Sequence, residues 1–284
     1  MTWFVAPSTL SQALDEINGR DAVLVGGGTS LAVLLKQRML EPEMLVWLGR
    51  VAGLKGIRRD ADGWWHVGAS TTLAEVARSP ELRREHPMVT QAAGVVANPR
   101  IRHVATVGGA IVHADPRQDL APALLAAGAT VAIRGPAGDR AVPLGDGFFR
   151  GFLETAVGPA EVVTHISLPP ATGAAQTYRR FTPQSRDDYP TVSVAARVER
   201  AESGEVSRLS LALGGVAPTP VLVGGVETAL ATRPPTAVDV ATVSAAARAA
   251  TSPVSDERGS AEYKAAMAEI WTQRVLTELL ERER

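Results

Sequence analysis

Val25-Gly26-Gly27-Gly28-Thr29-Ser30-Leu31 is the stretch whose reading decides the fold. The all-apolar run Ala22-Val23-Leu24-Val25 precedes it and predicts a strand buried on both faces. Three consecutive glycines then break the strand. They permit backbone angles closed to other residues and leave the peptide N–H groups open to a ligand. Leu31 to Met39 predicts a helix whose first donors would point at the same place, an arrangement that suits phosphate. Thr29 and Ser30 add hydroxyl donors. A tight strand–helix turn with no ligand accounts for the same residues. A P-loop does not fit, because no lysine follows Gly28. The dinucleotide fingerprint lacks its third glycine, since Leu31 stands there. A stand-alone NAD(P)-dependent Rossmann-type oxidoreductase is therefore an alternative reading.

Outward from this loop the pattern is mixed. Pro7-Ser8-Thr9 opens an amphipathic helix through Ile17, with Leu10, Ala13, Leu14 and Ile17 on one face. Thr9 and Gln12 have capping-box spacing, as do Thr72 and Glu75 before a short helix that ends near Ser79-Pro80. Met44–Leu48 and Trp64–Ala69 predict strands. Met88–Val96 predicts a helix stopped by Asn98-Pro99. Leu120–Ala127 predicts a helix, Thr130–Ile133 a strand, Pro136–Asp139 a turn and Val162–Leu168 a strand closed by two prolines. Residues 171–175 have the composition of a domain boundary. Beyond them come strands near Tyr178–Phe181, Thr191–Glu199 and Ser207–Gly214, and a helix over Pro235–Ala250. Ser260 is a good N-cap for a final helix. Its apolar stripe is Tyr263, Met267, Ile270, Trp271, Val275 and Leu279, expected to be core or partner interface. The class is α+β with short strands, in two or three subdomains.

Composition narrows the function. The chain has 284 residues, 45% hydrophobic and 21% charged, with 29 basic against 30 acidic residues. That balance argues against a nucleic-acid binder. It carries no polybasic segment for anionic lipid. Only Lys36, Lys55 and Lys264 are lysines; the other basic residues are arginines, a bias expected of a GC-rich genome. No cysteine is present, so the chain holds no disulfide, thiolate nucleophile or Cys-ligated cluster of its own. The N-terminus has no signal-peptide pattern and no stretch is long and apolar enough for a membrane span. A cytoplasmic protein is expected. His66, His86, His103, His113 and His165 show no metal-binding spacing, and no G-x-S-x-G elbow occurs. Arg100 and Arg102 are expected to be solvated, with a pyrophosphate contact as the alternative.

A second glycine segment is Thr106-Val107-Gly108-Gly109-Ala110-Ile111-Val112-His113-Ala114-Asp115-Pro116-Arg117-Gln118-Asp119-Leu120. By itself it could be a loop whose aspartate caps a helix. Together the two segments resemble the FAD-binding medium subunit of the molybdenum hydroxylases, which include xanthine dehydrogenases and aerobic carbon monoxide dehydrogenases. Gly27–Leu31 is similar to the family's AGGTSL loop, with Gly26 replacing the alanine. Residues 106–129 are similar to its TIGGN…ADP…DL.PAL block. Glu161–Pro169, Arg186–Pro190, Leu213–Pro220 and Asp256–Lys264 resemble further family segments in order.

The resemblance implies a two-subdomain FAD-binding domain of the vanillyl-alcohol-oxidase/PCMH type over 1–170, divided near 52, then a small α+β C-terminal domain over 176–284. It implies that Leu24, Val25, Gly26, Gly27, Gly28, Thr29, Ser30 and Leu31 wrap the FAD pyrophosphate. Thr106, Gly108 and Gly109 would form the second wall. Asp119 would make a polar contact, Asp115 is likewise counted among the cofactor-binding residues, and Val163 would pack near the flavin. Arg180 aligns with a position that can be lysine. Val96 aligns with an aromatic of some relatives, and Ala110 replaces the usual Asn or Asp. No catalytic residue or metal ligand is implied for this chain. The molybdenum cofactor would sit on a large molybdopterin subunit and two 2Fe-2S clusters on a small one, in a dimer of heterotrimers. FAD would pass electrons to an acceptor such as NAD, oxygen or a quinone. A flavin-free assembly subunit of the same complex is a further alternative.

Overall fold

The computed structural model describes residues 2–281 apart from 146, 172, 204 and 232–234. Thr172 of the expected boundary and residues 282–284 of the expected C-terminal domain lie outside the described residues.

The N-terminal part is a small α/β unit. Its elements are β1 (Trp3–Val5), α1 (Leu10–Ile17), β2 (Ala22–Val25), α2 (Leu31–Lys36) and β3 (Met44–Trp47). The strands pair in parallel in the order β1-β3-β2. Thr9 and Gln12 close a capping box on α1, as their spacing predicts. Strand β1 is not expected from the sequence; three residues ahead of a proline give too short a pattern. The expectation that β2 is buried on both faces fails. It is an edge strand and half-buried throughout. Helix α2 is also shorter than expected, because Arg38 turns into the left-handed region at φ 56°.

The middle part begins with β4 (Ile57–Arg59) and β5 (Trp65–Gly68). A run of helices follows: α3 (Leu73–Arg78), α4 (Pro80–Glu85), α5 (Pro87–Val95), α6 (Pro99–Arg102), α7 (Val107–His113) and α8 (Leu120–Ala126). Then come β6 (Thr130–Gly135), β7 (Gly138–Pro143), the hairpin β8 (Phe149–Gly151) and β9 (Glu154–Thr155), and β10 (Val162–Leu168). Strand β10 has the bounds its sequence predicts. It lies at the centre of a five-stranded antiparallel sheet of order β4-β5-β10-β6-β7. The parallel pairing of a Rossmann sheet therefore stops at three strands.

The C-terminal part holds β11 (Ala175–Phe181), β12 (Val192–Arg200), β13 (Val206–Gly214) and β14 (Val221–Leu222), an antiparallel sheet in chain order. Helices α9 (Ala237–Ala249) and α10 (Ala261–Glu281) cover one face. Val192, Val194, Ala196 and Val198 of β12 pack toward them. Tyr178, Ala195 and Ala212 point the other way and join the core of the middle part. Small residues are needed on that side because α8 packs closely there. A Cβ at Gly214 would lie 2.7 Å from Pro122 of α8. The C-terminal sheet is thus buried between α8 and α9–α10.

The stripe expected on α10 is displaced. Val275 and Leu279 are buried, but Tyr263 and Ile270 are exposed, and Lys264, Ala268 and Thr272 are buried instead. Lys264 pays for its burial with an ion pair to Asp256 at 2.7 Å and a bond to the Val254 carbonyl at 2.8 Å. A buried lysine with local partners is invisible to a hydrophobic pattern. Among the described residues no helix is long and apolar enough to cross a membrane.

Candidate functional site

The two glycine segments, 80 residues apart in sequence, are in contact. A Cβ built on Gly27 would lie 2.0 Å from the Val104 carbonyl oxygen. One built on Gly26 would lie 2.5 Å from Thr106 Oγ1. No side chain larger than hydrogen fits at either place. Gly28 has φ +71°, in the left-handed region that favours glycine. Each of the three glycines has its own physical reason.

The segments differ in how they use their amides. Among the described residues, no backbone N–H from Gly26 to Ser30 donates a hydrogen bond within the chain. These residues, like Leu24, Val25 and Leu31, are only half-buried. Such a run of donors is what an anionic pyrophosphate needs. The second segment is the first turn of α7, not a loop. Thr106 is its N-cap and accepts from the Gly109 N–H at 3.2 Å. The Gly108 N–H donates to Ala69 at 2.8 Å, and the Ala110 N–H to Thr106 at 2.9 Å. Gly108 is buried, and a Cβ there would lie 2.7 Å from that of Ala69. Gly109 is exposed and Ala110 half-buried, so these two present the outer face of the turn. The amides of this turn are thus satisfied within the protein.

Asp119 does not cap α8, although it stands at the N-cap position. Its carboxylate is buried and faces the C-terminal sheet. The Tyr178 hydroxyl donates to its Oδ1 at 2.6 Å, and Arg180 Nη1 donates to Oδ2 at 3.0 Å. Burial pushes the Asp119 carboxyl up; Arg180 and the Tyr178 hydroxyl pull it back without cancelling the rise. The Tyr178 phenol is raised well above its usual value by burial and by Asp119, so it remains a donor at any working pH. Asp119 and Arg180, matched separately by resemblance, are therefore one ion pair across two parts of the chain. Tyr178 completes the group and is the member that the sequence reading misses. The available signal is its i, i+2 spacing to Arg180 on a strand, which places both on one face.

The remaining candidates lie around this seam. Asp115 is buried and accepts from the Arg117 N–H at 2.9 Å, fixing the turn into α8. Val163 is buried in the core that contains α7 and α8, beside a register shift in β10. Val96 ends α5 and is half-buried. Arg102 is half-buried and bonded within the chain rather than freely solvated. Its Nη1 donates to the Val96 and Ala97 carbonyls at 2.8 and 2.7 Å, closing the end of α5 where Ala97 takes φ 42°. Arg100 is exposed and, among the described residues, makes no comparable contact, in keeping with the solvated reading. Among the described residues no group of His, Asp and Glu could hold a metal.

An α/β unit, a central antiparallel sheet, and a donor-rich glycine loop locked against a second glycine turn make a site suited to an anionic, phosphate-bearing ligand. Comparison with known proteins narrows the class. Residues 1–171 match the family model for the FAD binding domain in molybdopterin dehydrogenase. Residues 176–279 match that for the CO dehydrogenase flavoprotein C-terminal domain. The chain belongs to this family and is an FAD-binding oxidoreductase subunit. It is 34% identical to the carbon monoxide dehydrogenase medium chain of Hydrogenophaga pseudoflava, over 95% of this chain and 94% of the relative. It is 28% identical to a putative xanthine dehydrogenase FAD-binding subunit of Escherichia coli, over 95% and 93%. A solved carbon monoxide dehydrogenase from H. pseudoflava superposes with a TM-score of 0.94 at 33% identity, covering 99% of this chain and 98% of that one. Quinoline 2-oxidoreductase from Pseudomonas putida superposes at 0.91 with 26% identity, covering 99% and 97%. The FAD-carrying role is favoured over both the stand-alone Rossmann enzyme and the flavin-free subunit.

Proposed function

We propose that this chain holds FAD between residues 24–31 and the first turn of α7. It takes electrons from iron–sulfur clusters on a small partner subunit and passes them to an external acceptor. A large molybdopterin subunit would oxidise the substrate, and the complex would be a cytoplasmic dimer of heterotrimers. The domain division proposed is 1–170 and 176–284, the first part divided near 52. The observation that carries the site is the run of unpartnered amides from Gly26 to Ser30, pressed against Val104 and Thr106.

FAD, when bound, supplies the ability to accept single electrons and release pairs. The chain supplies binding and electrostatics. The Gly26–Ser30 amides would face the pyrophosphate. Thr106, Gly109 and Ala110 would bound it on the α7 side. Val96 and Val163 would offer apolar contact. Arg180, held by Asp119, would bring a guanidinium to the domain seam. Asp115 would shape the turn beneath it. Gly108 would act by packing rather than by touching the cofactor.

The test is purification of this chain with its two partner subunits, followed by flavin quantitation and by titration of the deflavinated complex with FAD and, as control, NAD. The expected result is one FAD per chain and no competition by NAD for the flavin site. A folded complex without flavin, and without capacity to take it up, would overturn the reading.

A further inference from the structure

The Tyr178–Asp119–Arg180 group joins two parts of the chain. Asp119 comes from the middle part, and both of its partners come from β11. All three side chains are nearly or wholly withdrawn from water: Tyr178 and Asp119 are each 3% exposed, and the Arg180 side chain is 9% exposed. Tyr178 is fixed from two further directions. Its N–H donates to Gln91 Oε1 of α5 at 2.9 Å, and its ring lies in the core shared by both parts. Its backbone is thus tied to α5, and the packed ring holds the hydroxyl toward Asp119. A buried carboxylate needs donors to remain ionised, and Asp119 has these two. While it is ionised it neutralises Arg180.

We infer that Tyr178 is a positioning residue for the flavin site, holding Asp119 as the counter-charge that masks Arg180. The inference rests on the proposed FAD site and on the resemblance that counts Arg180 among its cofactor-binding residues. Loss of the hydroxyl leaves a buried carboxylate with one donor, which favours its protonated form. Arg180 then keeps an uncompensated positive charge. A cation beside a flavin stabilises its reduced, negatively charged form.

The experiment is redox titration of flavin absorbance in the assembled complex carrying Tyr178→Phe, Asp119→Asn or both. The expected result for Y178F is a shift toward the reduced flavin of about tenfold in the equilibrium ratio, which is about 30 mV for a two-electron couple. D119N should shift it at least as far, and Y178F should add little in the D119N background, because the tyrosine acts through the aspartate. A Y178F complex that melts earlier but keeps the parent potential would overturn the inference and leave a packing role only. If Y178F does not assemble, D119N decides: an unchanged potential in D119N overturns the inference. A parent complex with no flavin would defeat the FAD reading itself, and this inference with it. A flavin-loaded parent with unmoved variants defeats this inference alone.

Discussion

The two glycine segments look alike in sequence and do opposite things with their backbones. Among the described residues, Gly26–Ser30 leaves its amides without protein acceptors, while the first turn of α7 satisfies its own. Gly26 and Gly27 are glycines because the neighbouring segment, at Val104 and Thr106, comes too close for a side chain. Gly108 is a glycine because Ala69 packs on it, and Gly109 lies on the open surface of the same turn. A glycine-rich motif is therefore several separate requirements: open donors, loop-to-loop contact, and helix packing. Only the first bears on a ligand directly.

The largest effect should come from breaking the contact between the segments. Gly27→Ala places a methyl 2.0 Å from a backbone oxygen, so the loop must move. The expected outcome is a complex that loses its flavin, with about 1–3 kcal/mol of stability lost. The flavin-to-protein ratio and Tm check it. Gly108→Ala should cost a similar ~1–3 kcal/mol through its clash with Ala69 but retain flavin. Adding Ala69→Gly should recover part of the Tm, which separates packing from binding. Thr106→Ala removes the N-cap of α7 and should cost about 1 kcal/mol, with flavin affinity falling a few-fold in the FAD titration.

A smaller effect calibrates the comparison at a distance from both segments. The Arg140 guanidinium, bonded to Glu161, holds that carboxyl below its ordinary 4.5. The folded state therefore binds its proton less readily than the unfolded chain. The stability this contributes is present above the ordinary value and is lost as pH falls through the depressed one. The Tm gap between the parent and Glu161→Gln should be constant near neutral pH and close below pH 4.5, with flavin content unchanged throughout.

The sequence is informative where the physics is local. Capping boxes at Thr9 and Thr72 form as their spacing predicts, and β10 has its expected bounds because prolines end it. The β1 strand and the β8–β9 hairpin are missed because two or three residues carry no periodicity. The second glycine segment reads as a loop because glycine disfavours helices; the Thr106 cap and the fit against Ala69 override that preference. The first glycine loop is legible from its own residues, but the other site residues come by resemblance rather than by pattern. Resemblance left Asp119 and Arg180 as two isolated positions, and only the tertiary fold joins them through Tyr178. The bonds of Arg102 are hidden from the sequence for the same reason, since its acceptors come into place only once Ala97 adopts a left-handed turn.

Hydrogen–deuterium exchange over residues 24–31, in the assembled complex with and without FAD, tests the central claim most directly. If the open amides hold the pyrophosphate, FAD should slow exchange at Gly26–Ser30 strongly and change little at Gly108–Ala110, which are already bonded. Bound FAD with undiminished exchange at Gly26–Ser30 would contradict it.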